Sequence, residues 1–293
     1  MNSRQGWGVG MAALGAVGFS GKAIIVKLAY RHGVDAVTLL MWRMLLALPL
    51  FLALAWWAGR GRPALSARDW RDVGVLGFTG YYLASFLDFA GLQYISAGLE
   101  RLILYQNPPL VLLLGVLFLG QRVGRRQTVA LALSYAGVLL VFAHEVRYDG
   151  VTTWIGSALV LGSALSYAVY LALSGQVVKR LGSLRLTGLA TTVACGLCLL
   201  QFAWLRPLEA AWVPSAVVGL SVVNATACTF APVLLVMLAI ERVGAPVAAQ
   251  VGMVGPMSTL LLAAWLLGEP LTAWVAVGTG LVLAGVAALA RRS

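Results

Sequence analysis

Acidic side chains are scarce in this chain. Its 293 residues include ten Asp and Glu, two His and three Cys, and charged residues make up only 11%. Soluble domains are nearer a quarter charged, so an ordinary water-soluble fold is excluded. Two histidines without a carboxylate or cysteine cluster offer no metal centre. There is also no nucleophile elbow and no phosphate loop, so neither enzyme chemistry nor a cofactor is expected. Cys195, Cys198 and Cys228 all lie inside apolar stretches. The C-x-x-C of Cys195 and Cys198 has no second pair, and the three read as small buried hydrophobes. Polar linkers and low-complexity runs are missing, so no separate soluble domain is marked. The first 30 residues lack a small-residue cleavage site and read as a retained first helix.

What the chain does have is apolar sequence, at 61%. It comes in blocks near the ~20 residues that cross ~30 Å of hydrocarbon as a helix. Ten spans are predicted: 7–29, 36–57, 73–94, 99–119, 127–143, 154–174, 184–205, 214–240, 246–267 and 272–290. The fold class is therefore all-α, a polytopic membrane protein in contact with the lipid bilayer. The net charge of +11 lies mostly between the blocks, so it marks membrane topology and not a nucleic-acid partner. With the N-terminus inside, fourteen of the 21 Lys and Arg fall in inner segments and four in outer ones. Both termini are thus expected on the cytoplasmic side of a bacterial inner membrane.

A long internal repeat organises the spans. Pro108 recurs as Pro256, Gly120 as Gly268 and Gly137 as Gly285, each 148 residues on; Trp7 recurs as Trp154 and Gly15 as Gly162 at 147. The predicted domains are a first five-helix repeat, 1–146, and a second, 147–293. Five is odd, so the second repeat enters the membrane inverted. Inverted repeats place a substrate site where the halves meet.

The prolines lie mid-span, in Tyr105-Gln106-Asn107-Pro108-Pro109 and in Gly252-Met253-Val254-Gly255-Pro256. A proline removes an N–H and clashes with the preceding turn, so spans 4 and 9 should kink there. Pro108, Pro109, Gly255 and Pro256 are the candidate hinge, with a static packed kink as the alternative. Lys22, Arg43 and Asp88 are ionisable residues within spans, each a site hypothesis by default. At ~1.5 Å per residue they share a depth roughly 10 Å below the outer surface. Asp88 should therefore pair with Lys22 or Arg43, as a structural ion pair, a zwitterion or anion site, or a proton-coupling group. Lys27 should reach towards the surface, and Glu100 and Arg101 should form an interfacial pair at the mouth of span 4. Tyr82, Tyr105, Gln106, Asn107, Tyr167, Tyr170 and Asn224, with Ser163, Ser166, Thr229 and Gln250, are expected around a cavity suited to a small amphipathic substrate. Interhelical hydrogen bonding uses the same residue types.

Several segments resemble a known family: Trp42-Arg43-Met44-Leu45-Leu46-Ala47, Asn107-Pro108-Pro109 through Leu119-Gly120-Gln121, Tyr135-Ala136-Gly137-Val138-Leu139-Leu140, and Gly255-Pro256 through Leu267-Gly268-Glu269-Pro270. Through these the chain resembles the ten-helix EamA-type transporters of the drug/metabolite transporter superfamily. The Gly-Glu turn of that family is present at Gly268-Glu269, while the first half carries Gln121 in place of the glutamate. The resemblance implies secondary export or exchange of small metabolites; YddG-like aromatic amino-acid exporters are prominent members. The expectation is an exporter of small amphipathic metabolites, amino acids first, working by alternating access. A proton-coupled drug or cation antiporter, and a non-transporting lipid-handling or sensory protein, are the alternatives.

Overall fold

The computed structural model describes residues 3–119 and 124–290. Among these residues the regular structure is all helical, in ten main helices. They are α1 (Ser3–Tyr30), α2 (Ala36–Gly59), α3 (Ala67–Gly91), α4 (Ala97–Phe118), α5 (Arg125–Asp149), α6 (Val151–Leu181), α7 (Ser183–Leu205), α8 (Ser215–Val243), α9 (Ala245–Gly252 continued by Val254–Leu267) and α10 (Ala273–Ala290). Eight are long and apolar enough to cross a membrane as single helices, and the last two supply shorter apolar helices. α1 runs antiparallel to α8, with Gly8 against Val243 and Gly21 against Cys228, and α5 runs antiparallel to α10. The end of the bundle where α1 starts is called here the near end, and the end where it finishes the far end.

α3 starts at Ala67, before the predicted 73, because Ser66 and Asp69 form a capping box. Each satisfies an orphan N–H of the other's backbone at the helix start. Arg180, at the end of α6, then bonds both Asp69 (2.7 Å) and Asp72 (2.6 Å), tying two helices at the near end.

The main helix packings map onto one another when the halves are exchanged. α5 packs on α10 and α2 on α7; α1 packs on α8 and α9, as α6 packs on α3 and α4. That invariance is the mark of a pseudo-two-fold axis between the five-helix repeats. Atomic detail follows it. A methyl added at Gly137 would lie 2.5 Å from the carbonyl oxygen of Gly278, and one added at Gly285 2.6 Å from that of Ala130. These are equivalent contacts 148 residues apart, and only glycine permits so close an approach.

The α1/α8 and α3/α6 interfaces are equivalent but differently built. In α3/α6 the Ser163 hydroxyl donates to Ala84 O and the Ser166 hydroxyl to Thr79 O, both at 2.7 Å. In α1/α8 the corresponding carbonyls, of Pro232 and Ala227, face Gly15 and Gly18. The packing thus makes Gly15 the equivalent of Ser163, not of Gly162, and the register is 148 here too. Both α3 and α8 widen into π-helix at matching places, Gly77–Leu83 and Thr226–Phe230. In α8 the wide turn precedes Pro232, which has no N–H to donate.

Candidate functional site

The two mid-helix breaks fall at equivalent places. α4 is interrupted at Tyr105–Gln106, between Ala97–Leu104 and Asn107–Leu119; α9 is interrupted at Met253. Each break precedes its proline by two or three residues, where the ring prevents a regular turn. Pro256 leaves the Gly252 carbonyl without its i+4 donor, and the Tyr105 hydroxyl takes it at 2.5 Å. Ser20 of α1 donates to Gly255 O at 2.8 Å. Pro256 and Gly255 are buried. The second break is therefore held by side chains of the first half.

Charged side chains from α1, α2, α3 and α4 gather beside these breaks. Lys22 of α1 forms ion pairs with Asp88 of α3 and, at 3.0 Å, with Glu100 of α4. Of the two cations that depth offers Asp88, the structure makes Lys22 the partner. Glu100 is not in an interfacial pair with Arg101: it is fully buried, and its bond is to Lys22. Ser96 starts α4 far enough out that Glu100 lies a full turn inside. The signal for this was present, since Glu100 falls within a predicted span beside a lysine needing counter-charge. Asp88 Oδ1 and Glu100 Oε2 have no hydrogen-bond partner among the described residues. Two carboxylates thus share one ammonium inside an apolar bundle, where uncompensated charge is costly.

Arg43 of α2 is buried nearby. Its Nε donates to Thr229 Oγ1 at 3.0 Å, and its guanidinium lies 5.1 Å over the ring of Phe89. Thr229 in turn donates to the main-chain oxygen of Asn224 at 2.7 Å, across the π-helical turn of α8. Arg101 lies 5.3 Å over the Tyr105 ring.

The other expected cavity residues are dispersed. Gln106 faces α5: its Oε1 accepts from the Ser134 hydroxyl at 3.0 Å and its Nε2 donates to Ser134 O at 3.4 Å. Tyr167 and Tyr170 stack at 5.3 Å, and Tyr170 meets Tyr81 edge-on with the hydroxyls 3.2 Å apart. These three pack between α3, α6 and α7. Tyr82 points elsewhere, against the apolar core that contains Met44, Phe89, Cys195 and Cys198. Asn107 follows the α4 break, its Oδ1 unpartnered among the described residues. The side chain of Gln250 and the turn at Gly120–Gln121 lie outside the described residues.

The far end is laced shut across the repeats. Gly268, at φ +73, ends α9 in the left-handed conformation that glycine adopts without strain. The turn aims Glu269 at the start of α4, where it accepts from Ala97 N at 3.0 Å and Gly98 N at 3.4 Å. Carboxylates are favoured at a helix N-terminus. Glu145 of α5 accepts from the N–H and hydroxyl of Ser96 beside it. Lys27 comes within 3.7 Å of Glu269, so this lysine is paired at the far end. Two clefts of about 620 and 680 Å³ open around this lock, both lined by Lys27, Gln93 and Glu269. Neither cleft reaches Tyr82, Tyr105, Asn107, Tyr167, Tyr170 or Asn224.

Known proteins share this architecture. The EamA-like transporter family matches residues 6–143 and again 154–291. The chain is 30% identical to the uncharacterized transporter YcbK of Bacillus subtilis (strain 168), over 91% of this chain and 87% of that protein. It is 26% identical to an uncharacterized transporter of Archaeoglobus fulgidus, over 94% of each. The crystal structure of another protein superposes with a TM-score of 0.65, covering 97% of this chain and 98% of that one at 17% identity. That last likeness concerns the fold alone.

Proposed function

Because the chain belongs to the EamA-like transporter family, we propose that it exports small amphipathic metabolites, amino acids first, by alternating access across the bacterial inner membrane. It is a transporter built as a polytopic bundle of two repeats. The observation that supports amino acids is the buried site itself. Cationic and carboxylate groups lie together there, with Arg43 Nη1, Asp88 Oδ1 and Glu100 Oε2 each lacking a partner among the described residues. A zwitterion presents both complementary charges in one small molecule. Aromatic surfaces at Phe89 and Tyr105 border the same groups.

The pseudo-two-fold packing supports alternating access. In the described conformation the far end is locked by Glu269, Glu145 and Lys27, and exchange of the repeats' conformations would open it. Export as the direction is what the resemblance to the family's exporters implies.

Purified protein in proteoliposomes, tested for flux over an amino-acid panel with and without a proton gradient, examines the proposal. Saturable flux of one or more amino acids is expected. Flux of none, with uptake of organic cations driven by the gradient, would replace this reading by the antiporter alternative. The sharing of one lysine between Asp88 and Glu100 favours that second reading, because a proton on either carboxylate would balance the trio.

A further inference from the structure

Arg43 is satisfied on one side only. It is 7% exposed, and Thr229 takes its Nε. Its Nη1 has no hydrogen-bond partner among the described residues, and no ion pair among them includes Arg43. Asn224 is fully buried, and neither its Oδ1 nor its Nδ2 has a partner among those residues. Thr229 joins the two, accepting from Arg43 and donating to the Asn224 main chain. Arg43 is on α2 and Asn224 on α8, so this group straddles the two halves.

Arginine keeps its proton under all ordinary conditions, so Arg43 cannot escape an unpaired charge by neutralising. Lys22 does not share its difficulty, because it holds both Asp88 and Glu100. With Arg101 beside Tyr105, the site contains three cations and two carboxylates. The surplus is positive. The missing partner is therefore an anionic group with hydrogen-bond acceptors for a guanidinium N–H and an amide N–H. A carboxylate has that form.

We propose that Arg43 Nη1 and Asn224 Nδ2 form the subsite for the carboxylate of the carried metabolite. This rests on the transport reading above and adds to it a named recognition site. Arg43 supplies the fixed charge, Asn224 a second donor, and the Phe89 ring shields the guanidinium from water on one face. Both donor atoms are closed from solvent in the described conformation, so the ligand enters when α2 and α8 part. A carboxylate bound there links the halves, and its binding is coupled to their relative position.

The test uses purified full-length protein and its thermal stabilisation by three matched ligand sets: amino acids, their methyl esters, and the corresponding acids lacking the amino group. Wild type, Arg43→Lys, Asn224→Ala and Asn224→Asp are compared, with amino-acid flux measured in parallel. Wild type should be stabilised by amino acids and by the deaminated acids. Each variant should weaken both roughly tenfold or more, the size expected for a lost charge-assisted hydrogen bond, and leave ester binding unchanged. Should Arg43→Lys fail to fold, the Asn224 variants decide. Acid binding that depends on Arg43 and Asn224 without any amino-acid flux would uphold the subsite and sink the amino-acid reading. Amino-acid flux and binding unchanged in both Asn224 variants would overturn the subsite and leave that reading standing. If no acid or amino acid stabilises wild type, water alone satisfies Arg43 and the subsite is overturned.

Discussion

Tyr105 donates its hydroxyl to the carbonyl of Gly252 at 2.5 Å, so the broken turn of one half is held by the broken turn of the other. Tyr105→Phe removes the donor and keeps the ring. It leaves a half-buried carbonyl without its side-chain donor, which costs about 1 kcal/mol. A lower melting temperature in detergent is expected, with the protein still monodisperse. An unchanged melting temperature would mean that water replaces the hydroxyl without loss.

Lys22 holds two carboxylates, so its removal should do more harm than removal of either one. Lys22→Met strands Asp88 and Glu100 together, whereas Asp88→Asn leaves Glu100 on the lysine. Breaking a buried pair costs about 3–5 kcal/mol in soluble proteins. Folded yield should therefore fall most for Lys22→Met, less for Asp88→Asn and for Glu100→Gln. Size-exclusion yield and thermal unfolding give the ranking. If Asp88→Asn folds normally while transport loses its response to a proton gradient, the trio is a coupling site and not a brace.

How far sequence alone reaches depends on what constrains each residue. The repeat was legible because Pro108 and Pro256, and Gly137 and Gly285, are fixed by backbone needs that both halves share. Trp7 and Trp154 pointed to a 147-residue shift, but they are 71% and 59% exposed. An exposed aromatic tolerates a one-residue slip; the equivalent positions Gly15, packed on Pro232, and Ser163, bonded to Ala84, do not. Depth counting placed Lys22 near Asp88, since rise per residue is regular. Side-chain direction was harder to read. These helices are apolar on every face, so no amphipathic stripe shows which way Gln106, Tyr82 or Tyr170 points. Glu100 was misplaced because it sits at a span edge, and the carboxylates of Glu145 and Glu269 that, with the local cap Ser96, move that edge outward come from distant segments.

The serines of the α3/α6 interface should act as pins. Ser166→Ala removes the bond to Thr79 O and should cost about 1 kcal/mol. The equivalent α1/α8 contact has no such bond to lose, but Gly18 lies against Pro232, where an added methyl would come within 2.6 Å. Gly18→Leu should therefore overpack the interface and lower folded yield more than Ser166→Ala. Equal yields would show that α1 and α8 are not tightly apposed.

Asp35 caps α2 and should make the far end acid-sensitive. Burial pushes its carboxyl up, but the Thr38 hydroxyl, the Arg206 guanidinium and the Thr38 N–H together hold it below the ordinary value of 3.8. A depressed carboxyl stabilises fully above its unfolded value and loses that contribution as pH falls through the folded one. Melting temperature should drop below about pH 4 in wild type, and less so in Asp35→Asn, where the charge is absent at every pH. Asp35→Ala should lose about 1 kcal/mol at neutral pH through the missing cap.

Gly255 sets how the two breaks can move. Its backbone is ordinary helix, so conformational freedom is not what requires a glycine there. Space is: an added methyl would lie 2.7 Å from the Tyr105 hydroxyl and 2.8 Å from an Arg101 nitrogen. Both neighbours are the free ends of long side chains and can withdraw. Gly255→Ala should therefore fold, push Tyr105 off Gly252 O and uncouple the two breaks. Pro256→Ala acts on the same joint by restoring the i+4 N–H donor that the Gly252 carbonyl lacks, which stiffens α9. Both changes should slow transport, the first by loosening the contact and the second by straightening the hinge. Spin labels flanking Met253 and flanking Tyr105 would report the two distances. In wild type both should change together when substrate is added; in Gly255→Ala they should change independently. If neither distance responds to substrate in wild type, Pro108 and Pro256 mark static kinks and the bundle moves elsewhere.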